Sequence, residues 1–469
     1  MTPARPLDPK WWVMLAIGTG SFMSALESSA VNAVLPVVGR SLGVGVATIQ
    51  WVVTIYLLAV SGLLLSLGRL GDIRGHKTVY VAGLVVFIAG SLLCGLAPSA
   101  VSLVAFRVIQ GLGAAMLFAN SSAIATKAFP ARERGQALGL LAMMVYLGLT
   151  TGASLGGWLT ETVGWRAIFY VNVLPGILAL ILSVAFVPRD PGRTTRERFD
   201  LGGAALFILG FLALLLGLNQ GHAWGWSSAP VTGLCALAAV ALAAFFWVER
   251  RVGAPMVDLT LFRARAFSAA VLSAVCNYVC VFSIAFLLPF YLIQGRGLSA
   301  ARAGTLLVTQ PLVMAVVAPV SGALSDRIGS RLPAATGMAM LGAGLYFMSR
   351  LGPVAPLDHV VRTLVLTGLG TGVFISPNSS ALMGSAPRHR QGIAAGILAT
   401  ARSVGMVLGV GLAGAVFTTV LARGEAHPSA TAFFEGIRAG FLTAAAVAGL
   451  GTLVSLLGGD PRSQPLWGV

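Results

Sequence analysis

Hydrophobic residues in this chain come in long blocks separated by short loops rich in glycine, proline and charge. Fourteen apolar stretches reach bilayer-spanning length, at approximately 12–36, 48–70, 78–97, 101–126, 136–160, 165–187, 201–219, 230–248, 267–294, 302–325, 332–350, 360–384, 392–421 and 433–457. A spanning helix needs about 20 consecutive apolar residues. Backbone groups inside hydrocarbon must also be satisfied within the segment, which selects helix. The expected fold class is therefore an all-α polytopic membrane protein with 14 transmembrane helices.

The pattern repeats weakly. Gly68-Arg69-Leu70-Gly71-Asp72-Ile73-Arg74-Gly75-His76-Lys77 follows the second stretch, and Gly322-Ala323-Leu324-Ser325-Asp326-Arg327-Ile328-Gly329-Ser330-Arg331 follows the tenth. Pro130, Gly135, Ala137 and Gly139 match Pro387, Gly392, Ala394 and Gly396 in the same way. Both pairs lie eight stretches apart, where a six-helix repeat puts them six apart. Two helices are therefore expected to be inserted, and the seventh and eighth stretches are the natural ones. The expected organisation is a six-helix bundle over 1–190, a linker with two extra helices over 191–262, and a second six-helix bundle over 263–469. Bundles related by an axis along the membrane normal place a binding site between them near mid-membrane.

Composition agrees. Of 469 residues, 57% are hydrophobic and 10% charged, with mean hydropathy +0.88. The net charge of +16 would point to nucleic acid on a soluble protein. Here most Lys and Arg fall in the terminal segments and the loops on their side of the membrane, so the charge reports orientation and predicts both termini in the cytoplasm. No nucleic-acid partner is expected. Trp11-Trp12 opens a full-length span with no polar domain after it, so no cleavable signal is expected. A chain rich in Ala, Gly and Arg points to a GC-rich bacterial gene and a cytoplasmic-membrane location.

The four cysteines, Cys94, Cys235, Cys276 and Cys280, sit in apolar stretches and read as small core residues. The five histidines, His76, His222, His359, His389 and His427, fall in loops or at helix ends, and no His/Cys/carboxylate group has metal spacing. With no nucleophile–base pair either, an enzyme is not expected, nor a cofactor.

Glu27 is the one acid expected deep in a span. It lies 15 residues into the first stretch, roughly 22 Å along at 1.5 Å per residue. A carboxylate there must face a partner or a water-filled cavity. It reads either as half of a static ion pair between helices or as a group that takes and releases a proton. Arg107 enters the fourth stretch at a depth within roughly 5 Å of Glu27 on the same rise. It can pair with Glu27 or satisfy backbone carbonyls.

Three further groups stand out. Gly68, Asp72, Arg74 and Gly75, with Asp326 and Arg327 in the second copy, read as a cytoplasmic gate in which Asp72 pairs with arginines or faces a helix N-terminus. Gly148, Gly152, Gly156 and Gly157 read as a close-packing surface. Asn32, Tyr56, Gln110, Tyr146, Asn277, Tyr278, Phe282, Gln310, Phe374, Asn378 and Arg402 are the polar and aromatic residues a broad, mostly apolar site would draw on.

Taken together, Leu26–Pro36, Gly68–Lys77, Arg107–Gly113, Gly148–Gly157, Trp165–Asn172 and Phe199–Gly203 resemble the major facilitator superfamily, specifically its fourteen-helix drug:proton antiporters of the EmrB/QacA type. The likeness covers nearly the whole chain. It implies two six-helix bundles plus two inserted helices, acting as a monomer in the lipid bilayer and exporting small amphiphilic substrates against inward-moving protons. Two positions depart from the family pattern: Glu27 stands where Asp is usual, and Ala153 where the antiporter motif has Pro. An exporter of one endogenous metabolite, lipid or natural product is the alternative, and a membrane sensor that moves nothing is a third reading.

Overall fold

The computed structural model describes residues 8–44, 46–49, 51–189, 200–225, 228–251, 259–298, 300–387, 390–422 and 430–458. Within them the chain is helical. The long helices are α1 (Pro9–Ser41), α2 (Trp51–Arg74), α3 (His76–Leu96), α4 (Ala100–Ala128), α5 (Arg134–Thr162), α6 (Val173–Phe186), α7 (Leu201–Trp224), α8 (Ala229–Glu249), α9 (Arg265–Phe290), α10 (Thr309–Ile328), α11 (Arg331–Met348), α12 (Leu357–Ser385), α13 (Gln391–Ala422) and α14 (Ala430–Leu457).

Twelve helices of the described residues are long and apolar enough to cross a membrane. The expectation from sequence is fourteen spans. The two that fall short are α1 and α11. The 33 residues of α1 include Glu27, Ser28, Ser29 and Asn32, and the side chain of Pro36 lies outside the described residues. In α11 a length of only 18 residues includes Arg331, Pro333 and three glycines.

Helix ends follow local chemistry. Asp8 caps α1 by accepting from the Lys10 amide at 3.2 Å, with Pro9 in the first turn. Ser99 and Ser102 form a reciprocal capping box that starts α4. The turns after α2 and α10 use the matched glycines of the repeat. Gly75 has φ 93° and Gly329 φ 90°, a conformation that side-chain-bearing residues rarely adopt.

The chain divides into two compact units. Unit 1 holds Met1–Leu212, Ala238–Asp258 and Ala386–Ala399; unit 2 holds Ala213–Leu237, Leu259–Ser385 and Thr400–Val469. Within unit 1, α7 rests on α2 where Gly62 meets Leu212, and α7 meets α8 where Gly210 meets Ala241 and Leu242. Phe207 lies 5.3 Å from Phe245 across that pair. The other face of α8 exposes Val240, Phe246 and Trp247. In unit 2, α11 and α12 approach closely where Gly337 meets Gly370 and Phe374. Cys94, Cys276 and Cys280 are buried, but Cys235 is exposed on α8, which corrects its reading as a core residue. Most of the basic segment after α6, much of the one after α8, and the side chain of Ala153 lie outside the described residues.

Candidate functional site

The glycines of α5 decide how Glu27 is presented. A side chain at Gly148 would meet the backbone carbonyl of Phe22, one at Gly152 that of Leu26, and one at Gly156 the backbone of Ala30. Ser29 Oγ donates to the Leu149 carbonyl at 2.7 Å across the same contact. Thus α5 lies flush against the stretch of α1 that carries Glu27. Gly157 does not take part: nothing lies within 4 Å of where its Cβ would be.

Glu27 is fully buried and Arg107 is 1% exposed. Arg107 Nη1 donates to Glu27 Oε1 at 2.9 Å and to Gln110 Oε1 at 2.7 Å. Arg107 Nε donates to the Val52 carbonyl at 3.0 Å, and the guanidinium lies 4.0 Å over the Tyr56 ring. Gln110 Nε2 donates to Ser91 Oγ at 2.7 Å, and Ser91 Oγ in turn lies 3.5 Å from Glu27 Oε2. Both alternatives for Arg107 therefore hold at once: it pairs with the acid and satisfies a carbonyl. Burying two charges costs several kcal/mol per ion unless hydrogen bonds fill the remaining positions. Here Gln110, Ser91, Val52 and the Tyr56 ring complete the set.

Asn172 closes the cluster, donating from Nδ2 to Glu27 Oε2 at 2.9 Å and to the Ile168 carbonyl at 3.0 Å. Sequence reasoning placed Asn172 in a motif but gave it no role. Tertiary contacts of its neighbours place it. Trp165 Nε1 donates to Ser41 Oγ at 3.0 Å, and Arg166 Nη2 donates to the Ala97 carbonyl at 3.0 Å. These anchors fix the short segment before α6, so Asn172 enters the protein interior at the level of Glu27.

Of the residues expected at a cytoplasmic gate, Gly68 and Asp72 form a second cluster within unit 1. Asp72 Oδ1 accepts from the Gly392 amide at 2.9 Å and Oδ2 from the Ile393 amide at 2.8 Å, at the opening turn of α13. A helix N-terminus leaves its first amides unpaired and carries positive potential, so a carboxylate fits there. Gly68 allows the approach, since a Cβ there would meet the Gly392 carbonyl. His76 stands behind Asp72, with Nε2 3.3 Å from Oδ1 and Nδ1 2.8 Å from Asn120 Oδ1. Gly75 makes the turn, and Arg74 is exposed. In the second copy Asp326 is half-buried and Arg327 exposed.

The remaining residues singled out from sequence scatter. Tyr56 and Gln110 belong to the Glu27 cluster. Asn32 is exposed on α1, and Tyr146 is buried on α5. In unit 2, Arg402 is half-buried with its guanidinium 5.1 Å over the Tyr278 ring. Phe282 is half-buried beside Gly409. Asn378 Nδ2 donates to the Ala270 carbonyl at 3.0 Å, and Phe374 packs against Gly337, so both serve helix contacts. Asn277 Oδ1 and Gln310 Nε2 are buried without hydrogen-bond partners. Among the described residues, no group of His, Cys, Asp and Glu has the arrangement to hold a metal ion.

Among the described residues, twelve helices long and apolar enough to cross a membrane, with a hydrogen-bonded charge pair buried in the helical interior, describe a polytopic membrane protein. The model of the Major Facilitator Superfamily matches residues 17–410 and 270–466, and the chain belongs to that superfamily of transporters. It is 36% identical over 414 residues to the "Multidrug resistance protein Stp" of Mycobacterium tuberculosis, covering 87% of this chain and 76% of the relative. It is 32% identical over 451 residues to the "Riboflavin transporter RibZ" of Clostridioides difficile, covering 96% of this chain and 98% of the relative. Among solved structures, the human organic anion transporter MFSD10 shares the fold with TM-score 0.68 at 15% identity, covering 96% of this chain and 100% of that one.

Proposed function

We propose that this chain is a proton-coupled antiporter that exports small amphiphilic compounds across the bacterial cytoplasmic membrane by alternating access, with Glu27 as the proton-carrying group. The observation that carries the reading is the Glu27–Arg107 pair at 2.9 Å with a third partner at Asn172. A protonated Glu27 releases Arg107 without orphaning it, because the guanidinium keeps Gln110, the Val52 carbonyl and the Tyr56 ring. The pair can therefore open and close at small cost, which a purely structural ion pair does not require. The multidrug-resistance relative supports a broad substrate range.

The finer architecture belongs to this reading. In it α1 and α11 also span the bilayer, giving fourteen helices. A length of 18 residues reaches about 27 Å at 1.5 Å per residue, close to the hydrocarbon thickness. Both termini are cytoplasmic, residues 1–190 and 263–469 form the two bundles, and 191–262 carry the inserted pair. Asp72 on the α13 amides latches one conformation. The riboflavin-transporting relative, matched over almost its full length, favours a second reading as a dedicated carrier of one metabolite.

The test is efflux from cells carrying the protein, measured for a panel of amphiphilic dyes and riboflavin with and without a proton uncoupler. Uncoupler-sensitive export of several unrelated dyes is expected. Export that persists unchanged after the proton gradient collapses would overturn the coupling, and export of one compound alone would favour the dedicated carrier.

A further inference from the structure

A cavity of ≈ 610 Å³ opens between α1, α5 and the segment leading into α6. Phe22, Leu26 and Leu155 form apolar walls, and Thr150, Ser154 and Asn172 supply polar groups. The size falls within the range of about 300–1,000 Å³ for small-molecule sites, and spaces between bundle helices are a common place for them.

Two polar groups there are left over. Asn172 is 2% exposed and commits both Nδ2 protons, to Glu27 and to the Ile168 carbonyl. Its Oδ1 remains as an acceptor with no hydrogen bond among the described residues. Thr150 Oγ1 is buried with no partner either. The neighbouring Thr151 hydroxyl is already committed to the Leu147 carbonyl at 2.7 Å. An unsatisfied buried group such as the Thr150 hydroxyl is costly, and a ligand that meets it recovers that cost. Among the described residues, no charged side chain lines the cavity. An ionic head group would lose its hydration there without gaining a counter-charge.

We propose that this cavity binds a neutral amphiphile with a hydroxyl head. The ligand O–H donates to Asn172 Oδ1, and its oxygen accepts from the Thr150 hydroxyl. The apolar body lies along Phe22, Leu26 and Leu155. Occupancy braces Asn172 in the orientation that gives Nδ2 to Glu27. This site stands whether or not Glu27 carries a proton, because its evidence is the two leftover groups and the uncharged lining.

The full-length protein in lipid nanodiscs is photolabelled with a diazirine-bearing alkanol, and the labelled residues are mapped by mass spectrometry. Saturable labelling of the cavity-lining residues is expected, displaced by decanol. Decyl sulfate and decyltrimethylammonium are expected to need at least about tenfold higher concentration, since losing one hydrogen-bond-scale interaction is worth that factor. Thr150→Val should weaken decanol by about tenfold on the same basis. Ser154→Trp fills the cavity from its exposed edge and should abolish saturable labelling. Unsaturable label spread over α1, α5 and α6 and indifferent to Thr150→Val would mean that only lipid tails enter, overturning the proposal. Charged analogues competing as well as decanol would overturn the ligand class.

Discussion

Asn172 Nδ2 lies 2.9 Å from Glu27 Oε2, although the two residues are 145 positions apart in the chain. Arg107 holds the other oxygen at the same distance. The carboxylate is thus gripped from two sides by groups of opposite character, one cationic and one neutral. Neutralising Glu27 removes the attraction to Arg107 but leaves the amide of Asn172 with an oxygen to bond.

That asymmetry sets the first prediction. Glu27→Gln keeps size and one acceptor oxygen, but its NH₂ group must face either Arg107 or Asn172, both donors. One hydrogen bond is lost, at a cost of about 1–3 kcal/mol, which a large helical protein survives. The variant is expected to insert at normal levels with a lowered melting temperature, and its uncoupler-sensitive efflux should fall to background. Wild-type accumulation against a gradient by this variant would remove Glu27 from the coupling.

Arg107 separates charge from shape. Lysine keeps the charge, but a single ammonium cannot serve Glu27, Gln110 and the Val52 carbonyl in the planar fork that arginine presents. Arg107→Lys is expected to retain part of the transport with reduced thermal stability. Arg107→Ala leaves Glu27 buried without its counter-charge, a loss on the order of 3–5 kcal/mol, and should abolish transport. Melting curves beside efflux rates check the order, and an alanine variant as stable as wild type would contradict the cluster.

The α5 glycines divide into one silent and three constrained positions. Gly152→Ala drives a methyl into the Leu26 carbonyl and the Ser29 side chain, so α1 and α5 must separate. Overpacking of this kind costs about 1–3 kcal/mol and displaces the helix that bears Glu27. Gly157→Ala meets open space and should be neutral or gain up to about 1 kcal/mol from helix propensity. Thermal melts of the two variants are expected to differ by several degrees in that order.

Much of this was legible in the sequence, for reasons that particular residues make plain. The spans could be read because hydrocarbon demands unbroken apolar runs, and Glu27 with Arg107 because helical rise converts position into depth. Where the run is short and carries Arg331 and Pro333, as in α11, apolarity alone does not mark a span. Gly157 was separable in principle: it sits about 100° around the helix from Gly156, off the stripe of Gly148, Gly152 and Gly156. Asn172 was not separable, because its role depends on where Trp165 and Arg166 find their anchors on α1 and the end of α3. Those are tertiary facts with no periodic signature. The same holds for Asp72, whose partner could be named as a helix N-terminus but not located at Gly392 and Ile393.

Asp72→Asn tests that latch. The amide keeps one acceptor oxygen and loses the charge that favours a helix N-terminus, so one of the two amides at Gly392 and Ile393 loses its bond. Hydrogen bonds to charged groups are worth about 1.5–3 kcal/mol, so amide exchange at these positions should accelerate by about tenfold or more. Substrate affinity should change little while the rate of conformational exchange changes, since Asp72 belongs to a cluster separate from Glu27. A large affinity loss with an unchanged transport rate, or unaltered protection of both amides, would contradict the assignment.

Charge at the Glu27 cluster and on α13 predicts which substrates move poorly. Glu27 is already committed to Arg107 and Asn172, and in the proposed mechanism it must also carry the proton. On α13, Arg402 lies roughly 15 Å from the helix start at Gly392, at 1.5 Å per residue. It is half-buried over Tyr278, and its Nε has no hydrogen-bond partner. Neither the Glu27 cluster nor Arg402 offers a dication a free negative charge, and desolvating unpaired charge is costly. Neutral, zwitterionic, anionic and singly charged lipophilic compounds are therefore expected to be exported, and dications poorly. Paired efflux assays with a monovalent and a divalent quaternary ammonium compound of matched lipophilicity decide the point. Export of the divalent compound at an equal or higher rate would sink the argument, and Arg402→Ala separates its two parts. If Arg402 repels cations, its removal raises monovalent export while the divalent compound still fails for want of a second acid.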